Sequence, residues 1–432
     1  MTRNLTLFGI VAMLFVLTGV FASWNQSLLI LNISLVSAIM AMGVNLQWGY
    51  AGLFNTGIMG FAALGGLGVV LAAAPPQPAG FAAGGLRIML GLAIAVAVIV
   101  AAILVWRKMA AGRMRNWAVA AVLVVGFFVY RYVFDGGVSA VEAVDASIAG
   151  NIGGLGLNSA WGWVFGALFA AGGAWLIGKT ALGLRSDYLA IATLGISEII
   201  VQVLKNEEWL TRGVKMVADL PRPAFVPREV DLQRNPDFLG WVNTLGADPI
   251  VASTIWVKVL YALLFVVVLA AIIWLSERAL HSPWGRMMRA IRDNEVAASA
   301  MGKNVTSRHL QIFVIGSAVV GIGGAMLVSM DGLMNPGTYN PLRYTFLIWV
   351  MVIVGGSGNN WGSLLGGLLI GWLYLIVEQV GPGLMGFVTA QMQPGPLKSH
   401  LTDAAAHMRL LSLGVILLLV LRFSPRGLIP EK

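Results

Sequence analysis

Uncharged apolar runs of about 18 to 22 residues recur along most of this sequence, each long enough to carry an α-helix across about 30 Å of hydrocarbon at about 1.5 Å per residue. Such runs cannot all be hidden in a core surrounded by water. Of the 432 residues, 58% are hydrophobic and only 11% charged, whereas soluble domains carry about a quarter charged residues. The 53 glycines would weaken helices in water. In a bilayer they let helices approach closely and break where they line a cavity. The fold class expected is therefore all-α, a polytopic transmembrane helical bundle of roughly ten to twelve spans forming one domain over residues 1–432.

The spans expected from apolar blocks are Leu5–Ala22, Leu28–Gln47, Tyr50–Ala73, Leu86–Trp106, Trp117–Phe134, Ala160–Gly178, Tyr188–Leu204, Trp256–Leu275, His309–Ser329, Leu342–Gly355, Trp361–Val380 and His407–Arg422. Leu342–Gly355 is short enough to be a re-entrant or half-helix. Leu5–Ala22 resembles a signal-peptide core but is longer than usual, lacks a convincing cleavage site and leads into further spans, so it reads as the first transmembrane helix.

Threading these spans alternately puts Arg3, Arg107, Lys108, Arg113, Arg115, Lys179, Arg185, Arg278, Arg286, Arg289, Arg292, Lys303, Arg308, Arg426 and Lys432 on one side. By the positive-inside rule that side is the cytoplasm, with both termini inside. On the other side, residues 206–255 offset five basic residues with seven acidic ones and read as an extracytoplasmic loop with folded or partner-contacting parts. The net charge of +9 thus belongs to the membrane surface, and no nucleic-acid partner is expected. With no cysteine in the chain, disulfides, thiolate metal sites and thiol catalysis are excluded.

Chemistry-bearing patterns are few. Gly173–Thr180 formally fits the phosphate-binding G-x-x-x-x-G-K-[ST] pattern, but it ends an apolar helix and lacks the strand–loop–helix context. His281, His309, His400 and His407 show no metal-ligand spacing, and no paired carboxylates suggest acid–base catalysis; no metal, cofactor or enzymatic activity is expected. Asp187, Glu198 and Glu378 fall in or beside apolar blocks, where a charge is costly unless it faces a cavity or a partner. Glu198 either fixes packing within the bundle or stands beside a pathway. Interrupted helices often build transporter sites, which makes the Gly-rich segments 48–55 and 355–362 of interest. The candidate translocation-pathway residues are Asn45, Tyr50, Gly52, Asn55, Asp187, Tyr188, Glu198, Gly355 and Gly356. Tight helix packing better suits Gly321, Gly323 and Gly324.

Within the loop 276–308, residues 283–308 carry Met287 and Ile291 four apart, as are Arg289 and Asp293, and Gly302 is a helix stop. This reads as a short amphipathic helix lying across the membrane face, either a surface connector or a segment that docks in a partner's groove.

The segment Arg185-Ser186-Asp187-Tyr188-Leu189-Ala190-Ile191-Ala192-Thr193-Leu194-Gly195-Ile196-Ser197-Glu198-Ile199 closely resembles the motif of LivM-type permeases, membrane subunits of ABC importers for branched-chain amino acids. Arg289–Glu295 and Ala297–Gly302 resemble that family's cytoplasmic loop, Val354–Gly366 its glycine-rich stretch, and Phe423–Leu428 its terminal Arg-Pro-Arg-Gly-Leu. The resemblance implies a bilayer-embedded subunit of the bacterial inner membrane that pairs with a LivH-type permease, sits on two ABC ATPase subunits and receives substrate from a periplasmic or lipid-tethered binding protein. It also implies that Arg286, Arg289, Arg292, Glu295 and Gly302 belong to a coupling helix seated on an ATPase. The chain departs from compact members by the additional pair of spans from Leu86 to Phe134. It also lacks the second glycine and the Asn expected in 210–216. Related permeases carry urea, short-chain amides or other amino acids, and a stand-alone secondary transporter would have only Asp187, Glu198 and Glu378 as coupling-ion candidates.

Overall fold

The structure, a computed structural model, describes residues 2–144, 150–184, 186–390, 392, 395–404 and 407–431. Arg185 and Lys432, both assigned above to the basic face, lie outside the described residues. Among these residues the secondary structure is helical, with only isolated bridges of extended backbone. Nine helices are long and apolar enough to cross a membrane, ten if the bent pair Pro396–Ala404 and Met408–Phe423 is one span. Two shorter apolar helices, Ile58–Ala73 and Leu342–Gly355, complete the set. The expected all-α polytopic bundle is the fold observed.

Helix α1 (Thr2–Phe21) turns directly into α2 (Trp24–Val44). Ser23 makes the turn, its Oγ accepting from Gln26 N at 3.2 Å as an N-cap. Nearly every residue of α2 from Ser34 onward is buried. It runs on through a π-helical turn, Asn45–Gly49, and then the chain leaves helical geometry over residues 52–57 before α3 (Ile58–Ala73) begins. The expected span Tyr50–Ala73 is corrected accordingly: its first residues finish the preceding helix, and α3 covers only about 24 Å.

Helices α4 (Leu86–Lys108) and α5 (Arg113–Glu142) form a long hairpin. Next come α6 (Ser159–Ala181), α7 (Ser186–Asn206) and α8 (Pro249–His281). Because α8 is much longer than the apolar block Trp256–Leu275, the loop before it shrinks to 207–248. That loop is folded: Val217 and Met334 exchange backbone hydrogen bonds of 3.0 and 2.8 Å, and Arg222 pairs with Glu229 at 2.9 Å. Two short helices follow α8, namely α9 (Pro283–Asp293) and α10 (Glu295–Ala300). The chain then continues through α11 (Val305–Asp331), α12 (Leu347–Gly355, entered through a π turn at Leu342–Phe346), α13 (Asn360–Thr389) and α14 (Met408–Phe423).

The centre is made by α2, α3, α6, α11 and α13, which meet through small residues. A methyl added at Gly321 would lie 2.5 Å from Ala170 Cβ, at Gly323 2.5 Å from Met40 Cγ, and at Gly166 2.7 Å from the Gly65 carbonyl. In lipid, where apolar side chains gain nothing by leaving the solvent, such close backbone approach is what holds helices together. The phosphate-binding match at Gly173–Thr180 lies within α6, so its amides are committed to the helix. Replacing Gly324 by Val would drive a side chain into the Ala62 carbonyl on α3. The expected result is a loss of about 1–3 kcal/mol or more, seen as a lower melting temperature of the detergent-solubilised protein, whereas Gly9→Val on the open face of α1 should leave it unchanged.

Candidate functional site

A peptide backbone that leaves helical geometry inside a membrane protein must find other hydrogen-bond partners, since hydrocarbon offers none. The break at 52–57 meets that requirement with its own Asn55 and with side chains from α7 and the α12 segment, while Gln47 ties Asn55 to α11. Gln47, fully buried, donates to the Phe313 carbonyl and to Ser317 Oγ on α11, both at 2.9 Å, and its own Oε1 accepts from Asn55 Nδ2 at 2.8 Å. Asn55 Oδ1 accepts from Gly57 N at 2.8 Å, closing the turn that starts α3. On the α7 side, Thr56 N donates to Thr193 Oγ1 at 3.1 Å and Thr56 Oγ1 donates to the Ala190 carbonyl at 2.6 Å. From the short α12 segment, Trp349 Nε1 donates to the Asn55 carbonyl at 3.0 Å and Thr345 Oγ1 to the Thr56 carbonyl at 3.1 Å. Trp48, Phe54 and Trp349 stack beside these contacts, with centroids 4.8 and 4.5 Å from Trp349.

The second break, between α12 and α13, is tied to the first. Asn45 Oδ1 accepts from Gly358 N at 2.9 Å while its Nδ2 donates to Asn360 Oδ1 at 3.1 Å, and Asn360 Nδ2 donates to Glu277 on α8 at 3.0 Å. Gly356 (φ +117°) and Gly358 (φ +77°) adopt backbone conformations that a side chain would strain. Segment 424–431 then lies over this junction, with Leu428 N and Ile429 N donating to the Val354 and Gly355 carbonyls at 2.9 and 2.8 Å. Arg3 Nη2 donates to the Leu428 carbonyl at 2.9 Å. Arg3, both breaks, α9 and segment 424–431 therefore share one face of the bundle.

The loop between α8 and α11 is two helices, where the sequence suggested one. Asn294 (φ −157°) ends α9 and caps α10, accepting from Ala297 N at 2.9 Å. Met288 and Ile291 point inward and Met287 is half-buried, so the apolar stripe is real. The expected ion pair differs: Asp293 pairs with Arg292 at 3.1 Å, and Arg289 donates to the Leu280 carbonyl at 3.4 Å. Arg292 is the hub. Its Nη1 donates to the Gly49 carbonyl at 2.5 Å and pairs with Glu431 at 2.8 Å, which links α9 to the end of α2 and to segment 424–431. Burial opposes its charge, but the Glu431 and Asp293 carboxylates outweigh that and raise its pKa above the ordinary arginine range. A polar cleft of about 850 Å³ opens here, lined by Arg286, Arg289, Arg292, Arg426 and Glu431 among others.

Of the sequence-derived pathway candidates, Asn45, Tyr50, Gly52, Asn55, Gly355 and Gly356 gather at the paired breaks. Asp187, Tyr188 and Glu198 do not. They stand on the outward side of α7, where Tyr188, Ile191 and Ile199 are 62%, 70% and 62% exposed, and Glu198 accepts from Gln202 Nε2 in its own helix, at 2.8 Å. Glu378 is paired with Arg409 at 2.7 Å. Among the described residues no group of three or more His, Asp or Glu could hold a metal. Sequence reasoning passed over Gln47, Thr193, Glu277, Trp349, Asn360 and Glu431. Gln47 and Asn360, polar at the edges of apolar runs, carried the only readable signal.

With two interrupted helices joined to a solvent-facing helical loop on one face, the arrangement suits a carrier rather than a catalyst. A family model described as "Branched-chain amino acid transport system / permease component" matches residues 146–421, more than half of the chain. The chain belongs to this family. The "High-affinity branched-chain amino acid transport system permease protein LivM" of Salmonella typhimurium is 30% identical over 206 residues, 47% of this chain and 47% of the relative. The "Probable branched-chain amino acid transport permease protein LivM" of Methanocaldococcus jannaschii is 28% identical over 301 residues, 68% of this chain and 74% of that one. The permease protein LivH of Salmonella typhimurium is 25% identical over 224 residues, covering 50% and 66%. The match thus spans about half the length of the Salmonella LivM relative, and no solved structure matches. The protein is a multi-pass membrane permease component, as the resemblance implied.

Replacing Arg292 by Ala removes a side chain that holds α9 both to Gly49, just before the break, and to segment 424–431. Charge-assisted hydrogen bonds of this kind contribute about 1.5–3 kcal/mol. Hydrogen exchange at 49–57 and 289–294 should accelerate while exchange in the α3–α6–α11 centre stays slow. Equal acceleration in both regions would mean that the contact supports the whole fold.

Proposed function

We propose that this chain is one of two permease subunits of an ABC importer of the bacterial inner membrane, and that it moves branched-chain or other hydrophobic amino acids. Separate ATPase subunits dock on α9–α10 and drive the cycle. In this reading the face carrying Arg3, α9 and segment 424–431 is cytoplasmic, so both chain ends lie inside. A periplasmic or lipid-tethered binding protein delivers substrate to the opposite face, where loop 207–248 lies.

The observation that carries the reading is the shape of the loop between α8 and α11. Its inner face is anchored by Met288, Ile291, Ala298 and Val305. Its outer face presents Val296 and Met301, 79% and 80% exposed, in the first turn and at the C-cap of α10, whose first residue, Glu295, is exposed as well. Apolar side chains held outward on a segment beyond the spans suit burial by a partner. Gly302 (φ +76°) ends the motif in the left-handed conformation. Through Arg292 the same helix reaches Gly49, at the end of the helical run that leads into the break, so a push on α9–α10 acts directly on the interrupted helix.

The translocation pathway is placed between α7 and the second permease. An ionisable residue facing hydrocarbon is expensive. Glu198, with Gln202 as its hydrogen-bond partner and Tyr188, Ile191 and Ile199 nearby on the exposed side of α7, suits a face covered by another chain or by a water-filled passage.

Two variants test this. Glu295→Lys should leave membrane insertion intact and abolish co-purification of the ATPase chains from mild detergent; transport at the parental rate would refute the docking assignment. Glu198→Ala should lower uptake of labelled leucine by at least about tenfold, the scale of a lost charge-assisted hydrogen bond, while recovery of the assembled complex stays the same. Parallel loss of both would return Glu198 to a packing role.

A further inference from the structure

We propose that the turn between α4 and α5 is a binding site for an anionic phospholipid, with the phosphate held by Arg107, Lys108, Arg113 and Arg115 and an acyl chain lying in the groove between the two helices. The hairpin lies outside the residues matched by the family model, and the inference stands whatever the chain transports.

Charge is the first argument. These four cations fall within nine residues, and the sequence contains no acidic residue before Asp135. None of the four takes part in an ion pair among the described residues. Elsewhere on the surface Lys215, Arg222, Arg292 and Arg409 are each held by a carboxylate. No carboxylate among the described residues neutralises the turn, so its charge is open to an external anion. Arg115 is already posed for it: its guanidinium carbon sits 3.9 Å from the centroid of the Trp106 ring, and its Nε is sealed from solvent with no hydrogen-bond partner. Stacking on Trp fixes the plane of the guanidinium and leaves its charge for an oxyanion.

Shape is the second argument. A groove of about 260 Å³ runs between α4 and α5, lined by Ile99, Ile103, Trp106, Val119 and Leu123 and reaching Arg107 at the turn. Its walls are apolar apart from that arginine, so it matches a hydrocarbon chain whose headgroup is anionic. The hairpin's attachment to the bundle leaves this end free. At the opposite end, Phe134 meets Trp209 edge to face, with centroids 5.6 Å apart, and Glu142 accepts from Trp209 N at 3.3 Å. Along the arms, Val96, Ile99, Val100, Leu123, Val124 and Phe127 are exposed, which in a membrane-spanning hairpin means contact with acyl chains. A long arm fixed at one end is steadied if its other end holds lipid headgroups.

The test uses the full chain purified in mild detergent, with dioleoyl phosphatidylglycerol and dioleoyl phosphatidylcholine as probes, and native mass spectrometry to count retained lipid. The wild type should retain phosphatidylglycerol over phosphatidylcholine by about tenfold, the scale set by several basic side chains at an anionic surface. In R107Q/K108Q/R113Q/R115Q the two lipids should be retained alike. If that variant fails to fold, R113Q/R115Q should show a reduced preference, and Ile103→Trp, which fills the groove from an exposed position, should lower retention with all four cations present. Equal retention of both lipids by the wild type overturns the proposal, as does an undiminished preference in the Gln variants. Displacement of phosphatidylglycerol by inorganic phosphate as readily as by the same lipid would assign the turn to a free anion instead.

Discussion

The architecture depends on how the backbone amides and carbonyls of residues 52–57 are satisfied where water is scarce. A continuous helix would satisfy them internally; this chain spends side chains from α7, the α12 segment and its own break on the same task. Gln47 supports that arrangement from behind, since its amide ties the Asn55 side chain to two groups on α11. Partly satisfied networks in a low-dielectric interior are costly. The break therefore exists as one arrangement in which α2, α3, α7, α11 and α12 must be in register, and the glycine contacts that bring α3, α6 and α11 together are what permit that register.

That requirement also explains why the solvent-facing loop is wired to the membrane interior. The Gly49 carbonyl, near the end of the helical run, is taken by Arg292 of α9. The same guanidinium is shared with Glu431, whose segment hydrogen-bonds to the carbonyls at the α12–α13 break. One cation thus touches a surface helix, one interrupted helix directly and the other through the neighbouring segment. Motion of α9 is felt at both breaks, because the one guanidinium is bonded at once to the Gly49 carbonyl and to Glu431.

Much of this was readable in the sequence because apolar run length is a strong signal in membranes. The blocks located each of the apolar helices of the bundle, and Leu342–Gly355 was recognisably short. The glycine-rich segment 48–55 pointed to the interruption, but its bounds, 52–57, were not readable; they depend on partners on α7 and α12 that are distant in sequence. The same limit hid Thr193 and Glu431, whose importance comes from what faces them. Helix ends were underestimated at Trp117–Phe134 and Trp256–Leu275 because charged residues such as Asp135, Glu142, Glu277 and Arg278 continue these helices beyond the apolar stretch.

Rotation about a helix is the remaining unknown that one sequence withholds, and α7 shows why it matters. Ala190, Thr193 and Ser197 turn inward: Thr193 serves the break, and Gly60 packs so closely on Ser197 that a methyl there would lie 2.7 Å from its Cβ. Tyr188, Ile191 and Ile199, three and eight positions apart, consequently turn outward, with Glu198 beside them half-exposed. One side of the helix is fixed by hydrogen bonds and small-residue packing, so the other side cannot rotate in to hide its carboxylate. A helix held in this way presents Glu198 at the bundle surface as a consequence of how the break is satisfied, and the nature of what covers that surface follows from the chemistry it offers: one carboxylate, one amide and a ring hydroxyl set among aliphatic side chains.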